Sequence, residues 1–340
     1  MVMDNMRLGK TDINVNKNGF GALPIQRRNI DDSVEILLKA YESGIDFYDT
    51  ARFYTDSEQK LGIAFEDVRQ NIYLASKTAA ENVEDFWRDL ETSLKELKTD
   101  YLDLYQHHNI SFCPKSGDDL TKAMAEAKEE GLIKHIGITT HKITLAHEAL
   151  DSGIYETLQY PFSYLSGGDE LKLIEKCKKL DVGFIAMKAM GGGLITNSKA
   201  SYAYINQFDN VLPIWGIQKL EELEEFLSYD ENTVLTDDLN RIIEKDKKEL
   251  GENFCRGCGY CMPCPEGINI SLCARMSLWI RRFPTEPYLT EEYQNIMNET
   301  LNCIECYSCV DNCPYELDIP ELLKENYEDY KDVLSGKVKI

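Results

Sequence analysis

The chain has 340 residues, enough for one large domain with a small one or for two medium domains. Hydrophobic residues make up 43% of it, and no apolar run reaches the ~18 residues that a membrane-spanning helix needs. We therefore expect no membrane span. The net charge of −22 repels phosphate backbones, so we expect no nucleic-acid partner. Because residues 1–10 are polar and lack the apolar segment of a signal peptide, we expect a cytoplasmic protein.

Up to about residue 230, short apolar runs alternate with amphipathic segments. We predict eight strands, at residues 19–23, 45–49, 71–77, 101–107, 133–139, 156–161, 183–188 and 211–217. Helical patterns fill the gaps, at residues 30–43, 57–68, 82–98, 118–130, 143–152, 169–180, 198–207 and 219–228. This order predicts an α/β fold, a (β/α)8 TIM barrel, with an open doubly wound sheet as the alternative. Residues 6–16 are predicted to form a hairpin that plugs the bottom of the barrel.

The composition changes after Tyr229, where a charged helical segment leads into a cysteine-rich region. We predict that the barrel covers residues 1–235 and that a small helical domain covers 236–340, with helical patterns at 268–282 and 288–301. Nine of the eleven cysteines lie between Cys255 and Cys313. Without a signal peptide, so dense a cluster predicts metal ligands and not disulfides.

The cysteine-rich region contains two runs, each with a proline after its last cysteine. They are Cys255, Cys258, Cys261 and Cys264, then Cys303, Cys306, Cys309 and Cys313. The second run matches the bacterial ferredoxin pattern, in which the fourth cysteine ligates the other cluster. We therefore predict two [4Fe–4S] clusters in a dicluster ferredoxin-type domain, with Cys313 joining the first three cysteines and Cys264 joining Cys303, Cys306 and Cys309.

Two points stay open in this interpretation. The last gap of the first run is two residues instead of three, which leaves the crossed placement of Cys264 unsettled. Structural zinc is the alternative to iron–sulfur clusters, although zinc sites usually pair two short cysteine spacings some distance apart. Cys273 lies outside both runs and is predicted to be a core thiol.

Titratable residues follow consecutive predicted strands, at the end where barrel enzymes place catalytic groups. They are Asp49, Tyr54, Lys77, and the neighbours His107 and His108. These residue types suit reduction of a carbonyl by hydride. A tyrosine hydroxyl can supply the proton, a nearby lysine cation favours the phenolate, an aspartate keeps the lysine charged, and a histidine donor polarises the substrate oxygen.

Each of these residues also has an ordinary structural explanation. An aspartate at a strand end often caps the next helix. Tyr54 could be a loop aromatic and Lys77 a solvated side chain. The two histidines cannot both face the barrel interior, because neighbours in a strand alternate faces.

Phosphate groups bind near the loops after the last two strands of such barrels. Gly191, Gly192 and Gly193 follow the seventh predicted strand, and glycines let backbone N–H groups approach a phosphate. A plain turn is the alternative for these glycines. Lys219 opens the helix after the eighth strand and is a candidate partner for a 2′-phosphate, which favours NADP over NAD.

The segments GFGALPI, IDFYDTARFYTDSEQKLGIAF, LASKT, YLDLYQHHN and IKHIGITTH resemble the aldo/keto reductases. The runs CRGCGYCMPCP and CIECYSCVDNCP resemble the subgroup of that family with a C-terminal ferredoxin-type domain, so the resemblance covers nearly the whole chain. It implies a catalytic tetrad of Asp49, Tyr54, Lys77 and His108, with His107 as the outward neighbour.

The same resemblance implies a nicotinamide cofactor, NADPH or NADH. It also implies contacts to the carboxamide from Thr139, Thr140 and Gln159. The chain carries Thr-Thr where many members have Ser-Asn, and Met187 and Lys188 stand where a stacking tyrosine is expected.

The leading hypothesis is an iron–sulfur oxidoreductase that reduces a small-molecule carbonyl, with clusters that pass electrons to or from the barrel and a redox partner such as ferredoxin. A hydride carries two electrons and a [4Fe–4S] cluster carries one, so a flavin at the same rim could join them, although no flavin motif is evident. One alternative is an electron-transfer or redox-sensing protein whose barrel binds a nucleotide but is not a carbonyl reductase. The other makes the clusters purely structural.

Overall fold

The computed structural model describes residues 5–251 and 253–340. The chain divides into two compact units, each continuous in space but not in sequence. The first, called the barrel unit here, runs up to Ala189 and includes Asn197–Leu239. The second, called the cysteine unit, comprises Met190–Thr196 together with Asn240–Ile340. A short segment from the middle of the chain therefore belongs with the C-terminal part.

Eight parallel strands form a closed barrel in the barrel unit. They are β3 (Gly19–Gly21), β4 (Phe47–Asp49), β5 (Tyr73–Thr78), β6 (Leu102–His108), β7 (Ile133–Thr139), β8 (Thr157–Pro161), β9 (Gly183–Met187) and β10 (Val211–Gly216). Each strand pairs with the next along the chain, and β10 closes the ring by pairing with β3. The predicted barrel is confirmed, and the open sheet is wrong because the edges pair with each other.

Eight helices alternate with these strands. They are α1 (Ile30–Glu42), α2 (Ser57–Phe65), α3 (Val83–Glu96), α4 (Asp119–Glu129), α5 (Ile143–Ser152), α6 (Gly168–Leu180), α7 (Ser198–Ile205) and α8 (Leu220–Leu227). Their ends follow local capping chemistry. Asn29 accepts hydrogen bonds from the N–H groups of Asp31 and Asp32 at the start of α1, and Gly153 ends α5 in a left-handed conformation.

The predicted N-terminal hairpin is present. Its strands, β1 (Asn5–Arg7) and β2 (Asn14–Asn16), pair antiparallel. One apolar cluster contains Met6, Leu8, Ile13 and Val15 of the hairpin together with the barrel side chains Phe47, Ala75, Leu104, Ile185, Leu212 and Ile214. A Cβ at Gly9 would lie 2.1 Å from the Gly183 nitrogen, at the start of β9. The hairpin thus fills the barrel at the end where the strands begin and leaves the opposite rim for a site.

Six helices lie at the C-terminal side of the chain. They are α9 (Asp237–Leu250), α10 (Ile270–Cys273), α11 (Met276–Arg282), α12 (Glu291–Asn298), α13 (Ser308–Asp311) and α14 (Ile319–Leu334). The helical segment predicted at 268–282 is divided into α10 and α11. Arg275 has φ −122° and ψ 0°, outside the helical range, so the chain turns between the two.

The cysteine unit has a hydrophobic core of its own. Met276, Ile280, Met297, Leu322 and Tyr330 are among its buried residues, and Cys273 is completely buried with them. The prediction of Cys273 as a core thiol is confirmed. In the part of the chain that the structure describes, no helix combines the length and apolar character needed to cross a bilayer.

His135, near the start of β7, lies between two carboxylates. Its Nε2 is 2.6 Å from Asp12 Oδ1, and its Nδ1 is 2.8 Å from Glu156 Oε1. Burial disfavours the imidazolium, but the hydrogen bonds to Glu156 and Asp12 outweigh it and raise the pKa of His135. Glu156 also accepts hydrogen bonds from Lys128 and from the Ile136 N–H, and its pKa is lowered to about 2.

We predict that His135→Gln removes a pH-dependent part of the stability. A raised folded-state pKa stabilises the fold fully below the unfolded value of about 6.5, and the contribution is lost as the pH rises through the folded value. The Tm difference between the natural chain and His135→Gln should therefore be largest near about pH 6 and shrink by about pH 9. Thermal melts followed by circular dichroism would measure it, and a difference that is constant with pH would contradict the ion-pair explanation.

Candidate functional site

The strand register brings the predicted catalytic residues to one rim of the barrel. Asp49 ends β4, Lys77 is the next-to-last residue of β5, and His108 ends β6. His108 is opposite Thr139, and Thr139 is opposite Gln159 on β8. Because the strands are parallel and closed into a ring, these side chains converge at their carboxyl ends.

Lys77 is completely buried and is held by an ion pair. Its Nζ lies 2.6 Å from Asp49 Oδ2 and also donates to the Thr50 carbonyl. Burial opposes the ammonium charge, but Asp49 and Tyr54 outweigh it, and the pKa of Lys77 is raised. Lys77 is therefore charged at neutral pH, as a group that acts electrostatically on a tyrosine must be.

Tyr54 lies against this ion pair. The Lys77 Nζ is 5.0 Å from the centre of the Tyr54 ring. Burial raises the pKa of Tyr54, and the Lys77 charge opposes that rise without overcoming it. The Lys77 charge thus acts to lower the pKa of Tyr54, as expected, but Tyr54 stays protonated at neutral pH.

His108 faces Tyr54, and its neighbour His107 does not. The His108 and Tyr54 ring centres are 5.6 Å apart, edge to face. Burial, assisted by the Lys77 charge, lowers the pKa of His108 to about 3, so its imidazole is neutral. His107 packs against Tyr155 on the other face of the strand, and burial lowers its pKa to about 4.

Gln106 joins this site and was not predicted from the sequence. Its side-chain nitrogen lies 3.3 Å from Asp49 Oδ1 and 3.0 Å from Gln159 Oε1. The Gln159 nitrogen is in turn 3.4 Å from Asp49 Oδ2. Gln106 is two positions before His108, so strand alternation would have placed both on the inner face. Its Oε1 is buried, and no residue within 5–251 or 253–340 hydrogen-bonds to it.

The two predicted threonines have different surroundings. Thr139 is buried, and its Oγ1 lies 3.9 Å from Met187 Sδ, at the end of β9. Thr140 is also buried, but its Oγ1 accepts a hydrogen bond from the Lys142 N–H just before α5. Thr139 is therefore at the rim beside Gln159, whereas the Thr140 hydroxyl is engaged in the turn that starts the helix.

His141 is a second residue that the sequence reasoning missed. It is buried, and its pKa is lowered well below the ordinary value by burial and then by the Lys188 charge. A histidine that follows two threonines after a strand carries no distinctive spacing. Only the closed ring of strands shows that it lies within electrostatic range of His108.

The structure places the predicted phosphate-binding residues in separate settings. Gly191, Gly192 and Gly193 all have positive φ and belong to the cysteine unit, where the Gly192 carbonyl accepts a hydrogen bond from Arg275 at 3.2 Å. Lys219 is exposed at the start of α8 in the barrel unit. The Glu222 carboxylate there already accepts the N–H groups of Gln218 and Lys219. A phosphate at this helix end would have to displace that carboxylate.

The two cysteine runs have left-handed residues at the same two positions. Residues at equal positions have positive φ, 61° at Gly257 against 51° at Glu305, and 84° at Gly259 against 58° at Tyr307. Such left-handed residues next to right-handed ones turn successive N–H groups toward one concavity, a form typical of iron–sulfur sites. The Gly257 N–H indeed donates to Cys255 Sγ at 3.4 Å.

Five of the predicted ligands line one cavity of about 150 Å³. Cys303, Cys306 and Cys309 come from the second run, and Cys264 comes from the end of the first. This is the combination expected when the fourth cysteine of one run serves the cluster of the other. Cys261 reaches the same cavity, and Cys313 packs against the core of the unit. The donor set and its backbone therefore fit a cluster with cysteine ligands.

Arg275 lies beside the first run and could not have been identified from spacing. A Cβ at Gly257 would be 2.8 Å from its Nη1, so the guanidinium lies directly over this glycine. Burial lowers the pKa of Arg275, while Cys255 and Cys258 oppose that shift through their charge. Arg275 thus places a cation beside the first cysteine run.

Comparisons with known proteins agree with both parts of the chain. Residues 18–212 match the model of the aldo/keto reductase family, and residues 254–318 match that of a 4Fe-4S dicluster domain. The oxidoreductase YqkF of Bacillus subtilis is 28% identical over 59% of this chain and 69% of its own length. The L-galactose dehydrogenase of Arabidopsis thaliana is 29% identical over 56% of this chain and 66% of its own length.

A solved structure shows the same fold. The aldo-keto reductase AKR11C1 from Bacillus halodurans superposes with a TM-score of 0.63 at 22% identity, over 72% of this chain and 96% of that one. The chain spans about two thirds of the length of the two relatives compared by sequence. The family model covers more than half of the residues, so this chain is an oxidoreductase that belongs to the aldo/keto reductase family and carries a C-terminal 4Fe-4S dicluster domain.

Proposed function

We propose that the barrel unit reduces the carbonyl group of a small molecule with NADPH or NADH, and that Tyr54 is the general acid. The observation that carries this proposal is the buried Asp49–Lys77 ion pair, whose ammonium group lies 5.0 Å from the Tyr54 ring. A purely structural ion pair would have no need of a phenol and a neutral histidine at the same rim. The substrate is a small molecule that enters from that rim.

Tyr54 and Lys77 perform the proton transfer together. The Tyr54 hydroxyl donates its proton to the carbonyl oxygen as that oxygen gains negative charge, and Lys77 stabilises the phenolate that is left. Because Asp49 fixes the ammonium group, this stabilisation is in place before the reaction begins. Water then returns a proton to Tyr54.

His108 and the two glutamines orient the reactants. His108 is neutral and donates one N–H to the substrate oxygen, which polarises the carbonyl without competing for the proton. Gln159 and Thr139 lie beside each other at the rim and are the proposed contacts of the nicotinamide carboxamide, with Thr140 as a weaker candidate. The buried Oε1 of Gln106 is an acceptor suited to an amide N–H. A bound reduced nicotinamide supplies the hydride.

The cysteine unit is proposed to hold two [4Fe–4S] clusters. One takes Cys303, Cys306, Cys309 and Cys264, and their shared cavity supports this set. The other takes Cys255, Cys258, Cys261 and Cys313, and the backbone shared by the two runs supports a second cluster. We propose that the domain boundary predicted at 235–236 corresponds to the division of the two units at Leu239 and Asn240. We also place the protein in the cytoplasm, where thiols stay reduced.

Two roles remain for the clusters. They would pass single electrons to or from the barrel unit, with a flavin as the carrier that converts single electrons into pairs. The second candidate is a structural role, favoured by the packing of Cys261, Cys264, Cys303, Cys309 and Cys313 against the core of their unit. An iron–sulfur core stabilises a small domain in the way that a structural metal does.

We predict that Tyr54→Phe lowers the turnover of carbonyl substrates about 10²- to 10⁴-fold, because the hydroxyl supplies the proton in the transition state. The measurement is anaerobic oxidation of NADPH and of NADH with a panel of aldehydes and ketones. Nucleotide affinity and iron content should be unchanged. Tyr41→Phe is the matched control, since the Tyr41 hydroxyl accepts a hydrogen bond from the exposed Asn71 amide, away from the predicted catalytic residues. Equal turnover by both variants would contradict the proposal.

We predict that Cys306→Ser lowers the iron content from about eight to about four per chain, because one cluster loses a ligand. Cys273→Ala, which alters a buried thiol outside both runs, should keep all of the iron. Cys264→Ser should remove the same electron paramagnetic resonance signal as Cys306→Ser, and Cys313→Ser the other. If Cys264→Ser and Cys258→Ser remove the same signal, the crossed assignment is wrong.

The Cys306→Ser chain also separates the two roles of the clusters. A structural cluster predicts a lower Tm with unchanged aldehyde reduction per folded molecule. A cluster that passes electrons predicts loss of electron exchange with a one-electron dye while NAD(P)H oxidation by the barrel unit continues.

A further inference from the structure

The two cysteine runs differ sharply in exposure. In the first run Cys255 is buried, and Cys258 and Cys261 are partly buried. In the second run residues 304–308 are all exposed, and Cys306 is the one exposed cysteine of the eleven. Electron transfer weakens steeply with distance, so a partner would exchange electrons through the second run. This reasoning rests on the cluster proposed above at Cys264, Cys303, Cys306 and Cys309.

Large apolar side chains surround this exposed thiol. Leu301 is 65% exposed, Ile304 62%, Tyr307 48% and Met262 38%. Met262, Ile304 and Tyr307 line the cysteine cavity, while Leu301 and Tyr307 line an adjoining groove of about 400 Å³. Scattered exposed apolar residues are ordinary on protein surfaces, but four that line one cysteine cavity and its adjoining groove are of the kind that marks interaction sites. We call these four residues the apolar patch.

Carboxylates surround the apolar patch. Nine Asp and Glu residues lie between Phe283 and Leu323, and no Lys or Arg occurs in that segment. The groove is lined by four carboxylates, Glu305, Asp318, Glu321 and Glu328, and by two lysines, Lys324 and Lys331. Glu266 lines the cysteine cavity. Lys324 is already 3.8 Å from Glu321. The rim is therefore negative, whereas the first run has Arg275 beside it.

We propose that the apolar patch and its acidic rim are the docking surface for a small basic protein that carries one electron. An apolar centre with a charged rim is the usual anatomy of such an interface, and the rim selects a partner of opposite charge. In the exchange, a reduced cluster loses one electron and the oxidised carrier gains it, with no change in bonds or protons. A second copy of this chain would bring the same negative rim against itself, which disfavours self-association.

The test uses the cluster-loaded full chain and two carriers as probes. One is a small lysine-rich c-type cytochrome, and the other is an acidic flavodoxin of similar size. Titration calorimetry at low and at physiological ionic strength measures affinity. Anaerobic stopped flow with photoreduced protein measures the rate of carrier reduction. We expect binding of the cytochrome alone, weakened by salt.

Two variants probe the centre and the rim separately. Leu301→Ser should raise the Kd for the cytochrome roughly tenfold, since it removes an apolar contact at the centre. Glu305→Lys should lower the association rate at low salt about tenfold, since it reverses a rim charge. The matched controls are Leu180→Ser and Asp169→Lys, exposed positions in the barrel unit, which should change neither value.

Iron content and carbonyl turnover measured on the same chains separate this proposal from the function proposed above. Intact clusters with the expected losses of binding support the docking surface. Equal cytochrome binding by all chains, or stronger binding of flavodoxin, would overturn it while leaving the reductase untouched. Sedimentation that shows a dimer dissociated by Leu301→Ser would also overturn it, by assigning the apolar patch to a second copy.

Discussion

A buried ammonium ion persists in a protein only where a permanent counter-charge is fixed beside it. Lys77 meets this condition through Asp49 on the neighbouring strand, and Asp49 has further partners. Asp49 also receives the amides of Gln106 and Gln159, which stand on two other strands. One ion pair thus fixes the register of four strand ends, and Tyr54 and His108 pack against the same group. Asp49 and Lys77 at the rim are therefore paired in the absence of a ligand.

The cysteine unit depends on a different constraint, which acts on the backbone. Left-handed residues other than glycine cost roughly 1–2 kcal/mol each, yet Glu305 and Tyr307 both adopt that conformation. Strain of this kind is retained where the surrounding structure demands it, commonly at functional sites. The first run has glycine at the equivalent positions and avoids the cost. Left-handed residues at the same two positions, glycine in one run and larger residues in the other, are consistent with the same kind of ligand for both runs.

The periodic features of the chain could be predicted from the sequence. The eight strands, the plugging hairpin and the strand-end positions of Asp49 and Lys77 follow from alternation and spacing, whereas the choice of His108 over His107 came from the family resemblance. Gln106 was missed because a neutral amide does not stand out among titratable residues, although alternation places it inside. The break at Arg275 was missed because residues 268–282 keep a helical pattern across it. Long-range contacts decide such positions, as they decide that Gly191–Gly193 belongs with the cysteine unit.

That last assignment has a consequence for how the two parts of the chain can be separated. Arg275 and Arg282 donate to the carbonyls of Gly192 and Leu194, which precede the final barrel strand by many residues. A chain cut after Leu239 would keep the 190–196 segment but strip it of both guanidinium groups. The iron–sulfur part is consequently not a detachable tail. Removing it would leave the 190–196 loop without these two hydrogen bonds. A barrel made on its own would therefore need a redesigned loop between β9 and α7.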